Sequence, residues 1–182
     1  MTALPRHHLT VDEFVVWSGK TPGRFELLHG IVYAMAPERA VHARVKFRVQ
    51  KALEAAIGVG RVDCHMLPDG MTVRPPGVSS FEPDALVHCG ARLGPDETVV
   101  PNPVIVVEVG SPSTRNWDES YKFAGYFQLP SVQHYLIIDP SAMPVIHHAG
   151  QSDGTILTRL VSSGTIAITP PGIAISVDGL LD

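Results

Sequence analysis

Apolar residues recur at helical spacing along the stretch from Glu38 to Ile57. Val41, Val45, Val49, Leu53, Ala56 and Ile57 form one stripe, and Gly58 interrupts the pattern. The spacing predicts a helix over Ala40–Ile57 that lays this stripe on a sheet. At 100° per residue Arg44, Arg48 and Lys51 gather on the opposite side, which reads as a solvated face, while His42 falls inside the stripe and should point at the sheet. A shorter helix is predicted at Leu9–Phe14, where Thr10 and Glu13 have the spacing of a capping box. Phe25–Leu28 and Ile31–Met35 flank His29-Gly30, a hairpin signal that puts Glu26 on the first hairpin strand.

Asp84–His88 and Val104–Val109 read as strands, and the second, VIVVEV, is apolar on both faces like a central strand. A second helix is predicted over Asp118–Leu129, with Thr114 or Asn116 near its cap and Pro130 at its end. His134–Ile138, Val145–His148, Ile156–Val161 and Ile166–Ile168 follow, separated by Gly, Asp, Ser and Pro turns. The predicted class is α/β, with a C-terminal β meander.

The chain has 182 residues and 45% apolar content, enough for one domain over residues 1–182 to bury a core without disulfides or a structural metal. Cys64 and Cys89 stand alone rather than in CxxC pairs, so neither a disulfide framework nor a zinc ribbon is expected, which favours a reducing, cytoplasmic setting. No stretch has the length of a signal peptide or a membrane span. A formal net charge of -4 argues against a basic coat for indiscriminate nucleic-acid binding, so any such contact must be local.

Chemistry enters with Glu108. A charged carboxylate inside VIVVEV costs several kcal/mol if left unpaired, so something must compensate it. If the strands carrying Asp84 and Glu108 are antiparallel neighbours, the start of the first lies beside the end of the second and the two acids meet. Two readings are open. A divalent cation, Mg²⁺ or Mn²⁺, could sit between them, or Asp84 could merely begin a strand after Pro83 while Glu108 pairs with a lysine or arginine. Asp118, Lys122 and Tyr126 lie at i, i+4 and i+8, one helical face that either looks onto the acids or carries an ordinary exposed ion pair.

Phe25-Glu26-Leu27-Leu28-His29-Gly30, Met35-Ala36-Pro37 followed by His42, Pro83-Asp84, Val107-Glu108-Val109-Gly110-Ser111-Pro112-Ser113-Thr114, Asp118 with Lys122 and Tyr126, and Tyr135-Leu136-Ile137-Ile138-Asp139-Pro140 occur in that order. This succession resembles the Uma-two family of restriction endonucleases, within the PD-(D/E)XK nuclease superfamily. The resemblance implies a restriction endonuclease-like fold, a central mixed β-sheet flanked by helices. It implies a catalytic set of Glu26, Asp84, Glu108 and Lys122, with His42 and Tyr126 secondary. The metal, Mg²⁺ or Mn²⁺, would be held by Asp84, Glu108, Glu26 and the carbonyl of Val109. The superfamily signature places its lysine two residues after the second acid, where this chain has Gly110; Lys122, on the following helix, stands in for it.

The implied function is metal-dependent hydrolysis of phosphodiester bonds in DNA. The alternative is a catalytically inactive nuclease-fold module that binds nucleic acid or a protein partner. No membrane partner is expected, and a homodimer is compatible with the sequence. Cys64-His65 and His88-Cys89 are poor zinc pairs because adjacent strand residues point to opposite faces. The loop Gly110–Arg115 lacks the Walker lysine and the dinucleotide glycine spacing. Trp17 and Trp117 are isolated, as packing residues are.

Overall fold

The computed structural model describes residues 4–5, 7–110 and 121–181. Thr10 caps α1 (Val11–Ser18) through the full capping box with Glu13. A two-residue turn with left-handed His29 and Gly30 (φ 50° and 81°) joins β1 (Phe25–Leu28) to β2 (Ile31–Ala34). Trp17 packs edge-on to Phe25 at 4.7 Å, so it is a packing residue, as expected. Trp117, Thr114, Asn116, Asp118 and Glu119 lie outside the described residues.

The long helix α2 runs from Ala40 to Gly60, past the expected stop at Gly58. A helical glycine costs only about 1 kcal/mol, so it lowers but need not end the helical run. The helix ends instead at Arg61, in the left-handed conformation with φ 49°. Val45, Val49 and Leu53 are fully buried, each contributing about 1.5–3 kcal/mol, whereas Val41, expected in the same stripe, is exposed.

The main sheet is six-stranded in the order β3-β4-β5-β6-β7-β8. Its strands are β3 (Cys64–Pro68), β4 (Ala85–Cys89), β5 (Pro103–Val109), β6 (His134–Asp139), β7 (Ala142–Gly150) and β8 (Ile156–Val161). Only β5 and β6 pair in parallel, so the sheet is mixed, and β6–β7–β8 form the expected meander. The last strands, β9 (Thr165–Ile168) and β10 (Ile173–Ser176), leave the meander as a separate hairpin. They join α2 on one face of the sheet, where Ile168, Ile173 and Ile175 pack with Val49, Leu53, Val107 and Leu136.

Helix α3 (Phe123–Phe127) covers the other face, packing Tyr126 on Phe81, Val106 and Tyr135. Of the predicted Asp118–Leu129 helix, the described part is α-helical over Phe123–Phe127, with a wider π turn at Tyr121 and Lys122 before it. Gly125 permits its close approach, since a Cβ there would stand 2.7 Å from the Phe81 ring.

One expectation is overturned. Cys64 and Cys89 form a disulfide across β3 and β4, where they face each other in register. Spacing along the chain hides this pair because the cysteines become neighbours only when the two strands align, 25 positions apart. The cysteine argument for a reducing, cytoplasmic setting therefore falls. Among the described residues no helix is long and apolar enough to cross a membrane.

Candidate active site

Antiparallel pairing of β4 and β5 brings the start of one strand to the end of the other, as expected. Asp84 brackets Glu108: its backbone N–H donates to the Val107 carbonyl at 3.0 Å, and its Oδ2 accepts from the Val109 N–H at 2.7 Å. Both acids are buried at about 5–6% exposure. A cavity of about 910 Å³ opens at this end of the sheet, and Glu26, His42, Asp84, Glu108, Val109 and Lys122 all line it. Tyr126 does not line it but stands directly behind Glu108.

Two lysines organise the charges. Lys122 precedes the first turn of α3, and its Nζ lies 2.9 Å from both Glu108 Oε1 and Glu26 Oε1. The Tyr126 hydroxyl donates to the same Glu108 oxygen at 2.7 Å. Burial, reinforced by the charges of Glu108 and Glu26, pushes the Tyr126 phenol well above its ordinary pKa, so it remains a proton-bearing donor. Glu26 Oε1 also accepts from the Glu82 N–H at 2.9 Å, which ties the hairpin to the segment just before Asp84. The expected helical face is real at Lys122 and Tyr126; Asp118 is outside the described residues.

Lys46 was not anticipated. It is buried on α2, pairs with Glu38, and lies 3.0 Å from Asp69 Oδ2 and 3.7 Å from Asp84 Oδ1. Burial alone would lower its pKa, but hydrogen bonds to Glu38 and Asp69 and the charge of Asp84 outweigh that, and the net shift is upward. Arg24 closes the group with 2.8 Å contacts to Asp69 and Glu82. The sequence held a signal for Lys46, a lysine at 100° per residue almost in line with Leu53 on the buried side of the helix. It held none for Arg24, Asp69 and Glu82, which meet only in the fold.

His42 points at the sheet, as expected, with Nε2 3.4 Å from Asp84 Oδ2. Among the described residues no group of three or more His, Cys, Asp or Glu side chains is arranged to hold a metal ion. Glu26, Asp84 and Glu108, expected to share one ion, all line the cavity, with Glu26 Oε1 engaged by Lys122 and the Glu82 amide. What fits a magnesium-like ion is a smaller, all-oxygen set: Asp84, Glu108 and the Val109 carbonyl, since Mg²⁺ commonly takes one or two carboxylates and keeps several waters.

Comparison with known proteins bears on the fold and the family. The crystal structure of a "putative nuclease belonging to DUF820" from Anabaena variabilis superimposes with a TM-score of 0.74 at 15% identity, covering 95% of this chain and 97% of that one. The fold is thus the restriction endonuclease-like one expected from the motifs. Two uncharacterised proteins of Synechocystis sp. are similar in sequence. One, slr1290, is 23% identical over 96% of this chain and 92% of its own length; the other, sll1609, is 27% identical over 84% and 88%. The Uma2 family model, described as "Putative restriction endonuclease", matches residues 11–178. With the match running almost from end to end, the chain belongs to the Uma2 family.

Proposed function

We propose that this chain is an endonuclease that hydrolyses phosphodiester bonds in DNA with Mg²⁺ or Mn²⁺ held by Asp84, Glu108 and the carbonyl of Val109. The observation that carries the reading is the pairing of two buried acids with one buried lysine in a single cavity. Lys122 Nζ stands 2.9 Å from Glu108, which Asp84 brackets from the neighbouring strand. A bound divalent ion would polarise the phosphoryl oxygens and lower the pKa of a water molecule.

The protein's own groups do the rest. Lys122 offsets charge that develops on the phosphoryl oxygens and orients the attacking water. Glu26 holds the same Lys122 ammonium that contacts Glu108. Tyr126 anchors Glu108 so that its other oxygen keeps a fixed direction. His42, half-buried at the cavity wall beside Asp84, would return a proton to the leaving oxygen.

The test is conversion of supercoiled plasmid to nicked and linear forms, with and without Mg²⁺, by the parent and by Asp84→Ala. Metal-dependent cleavage lost in the variant is expected. A parent protein that binds DNA but leaves it uncut at every metal concentration would point to the inactive binding module instead.

A further inference from the structure

Three residues of α2 meet on Asp84. His42 Nε2 lies 3.4 Å from its Oδ2, Lys46 Nζ 3.7 Å from its Oδ1, and Gln50 Nε2 donates to its backbone carbonyl at 2.8 Å. Their spacing is i, i+4, i+8, so one helical row clasps one acid. This row runs beside the apolar stripe of Val45, Val49 and Leu53, whose burial fixes the helix on the sheet. Lys46 is the most buried member, its side chain 8% exposed, and it is itself held by Glu38 and Asp69. Asp69 is held by Arg24, which also grips Glu82, two residues before Asp84.

We propose that Lys46 is a positioning residue of the centre: anchored on Glu38 and Asp69, it fixes the Oδ1 side of Asp84 while the Val109 N–H fixes Oδ2, leaving the carboxylate set toward Glu108. The inference rests on the metal-dependent reading above and adds a residue to it that acts through Asp84 rather than on substrate. Groups that orient metal ligands change metal affinity by about 10–100-fold when removed.

Charge and position make opposite predictions here, which decides the test. Deleting a cation beside Asp84 makes the cavity more negative, so charge alone would tighten a divalent ion. Lost position would loosen it. Mn²⁺ affinity is measured by titration calorimetry on the parent, Asp84→Ala, Lys46→Met and Lys46→Arg, with thermal melts confirming that each is folded. The expected result is Asp84-dependent Mn²⁺ binding in the parent, about tenfold weaker in Lys46→Met and partly restored in Lys46→Arg. If Lys46→Met does not fold, Lys46→Gln, neutral yet able to hydrogen-bond the same acids, is read in its place.

Unchanged or tighter Mn²⁺ binding in the folded neutral variant would make Lys46 a mere counter-charge and overturn the inference, while leaving the metal reading intact. A parent whose Mn²⁺ binding equals that of Asp84→Ala would overturn both.

Discussion

Lys122 and Lys46 are each an ammonium set among carboxylates, yet their surroundings differ. Around Lys122, itself 11% exposed, the side chains of Glu108 and Glu26 are only 6% and 16% exposed. Around Lys46, Asp69, Glu38 and Arg24 reach 27%, 26% and 38%. Burying an ion pair costs several kcal/mol per charge unless hydrogen bonds recover it, so the inner group has been built against its own desolvation. In the outer group Lys46 is as buried as Lys122, but its partners Asp69, Glu38 and Arg24 keep part of their hydration. The difference teaches where the fold concentrates its electrostatic strain: the inner cluster holds a cation whose partners are the less exposed, and the outer cluster braces the acid between them.

The largest effect should come from breaking the inner cluster at its cation. Lys122→Met keeps much of the aliphatic stem and removes the charge. Loss of a group that stabilises transition-state charge typically costs 10²–10³-fold in kcat, so plasmid cleavage should fall at least about a hundredfold. Mg²⁺ affinity, measured by calorimetry, should be kept or tightened, because Glu108 loses a counter-charge and no metal-binding oxygen is removed. Cleavage at the parent rate would remove Lys122 from the chemistry and leave the inner cluster purely structural.

A smaller effect is expected from Tyr126→Phe, which removes one hydroxyl from the fully buried ring. Glu108 would lose a charge-assisted hydrogen bond of the kind worth about 1.5–3 kcal/mol. Lys122 still holds the same oxygen, so cleavage should decline by about tenfold rather than vanish. Urea unfolding beside a plasmid assay checks both. A variant as stable and as fast as the parent would show that Lys122 alone secures Glu108.

The two clusters were unequally legible. Glu108 announced itself, because a carboxylate within VIVVEV breaks a pattern that is otherwise apolar on both faces. The i, i+4 relation of Lys122 and Tyr126 survived into the structure because the π turn that carries Lys122 runs directly into the helix that carries Tyr126. Lys46 broke the apolar side of α2 in the same way that Glu108 breaks β5, but its long stem lets it pass for a surface residue in a helix that also has a basic face. Arg24, Asp69 and Glu82 come from three separate turns and strand ends, where no period relates one residue to another. The Cys64–Cys89 pair was hidden for the same reason, since β3 is too irregular in polarity to be read as a strand and its register with β4 is set only by the sheet.

The mildest perturbation is protonation of the outer cluster, and it separates the two groups by pH. Burial would raise the pKa of Asp69, but its hydrogen bond to Lys46 and the charges of Lys46 and Arg24 outweigh that, and the folded value lies below the ordinary 3.8. A carboxylate depressed in the folded state adds stability that is whole above its unfolded pKa and disappears as pH falls through the folded one. Lys46 is shifted upward, so its part is whole below 10.5 and lost only as pH rises through the higher folded value. Between these limits Asp69→Asn should cost a constant amount. Because Asp69 and Arg24 are partly hydrated, that amount should be about 0.2–1 kcal/mol, as for exposed pairs. Urea midpoints of parent and variant from pH 7 down to pH 3 give the measurement. The gap between the two proteins should hold steady to about pH 5 and narrow below pH 4 as the parent's Asp69 takes up a proton. A gap that stays open at pH 3 would mean that Asp69 supports the fold by shape rather than by charge, and the outer cluster would then differ from the inner one in kind rather than in degree of burial.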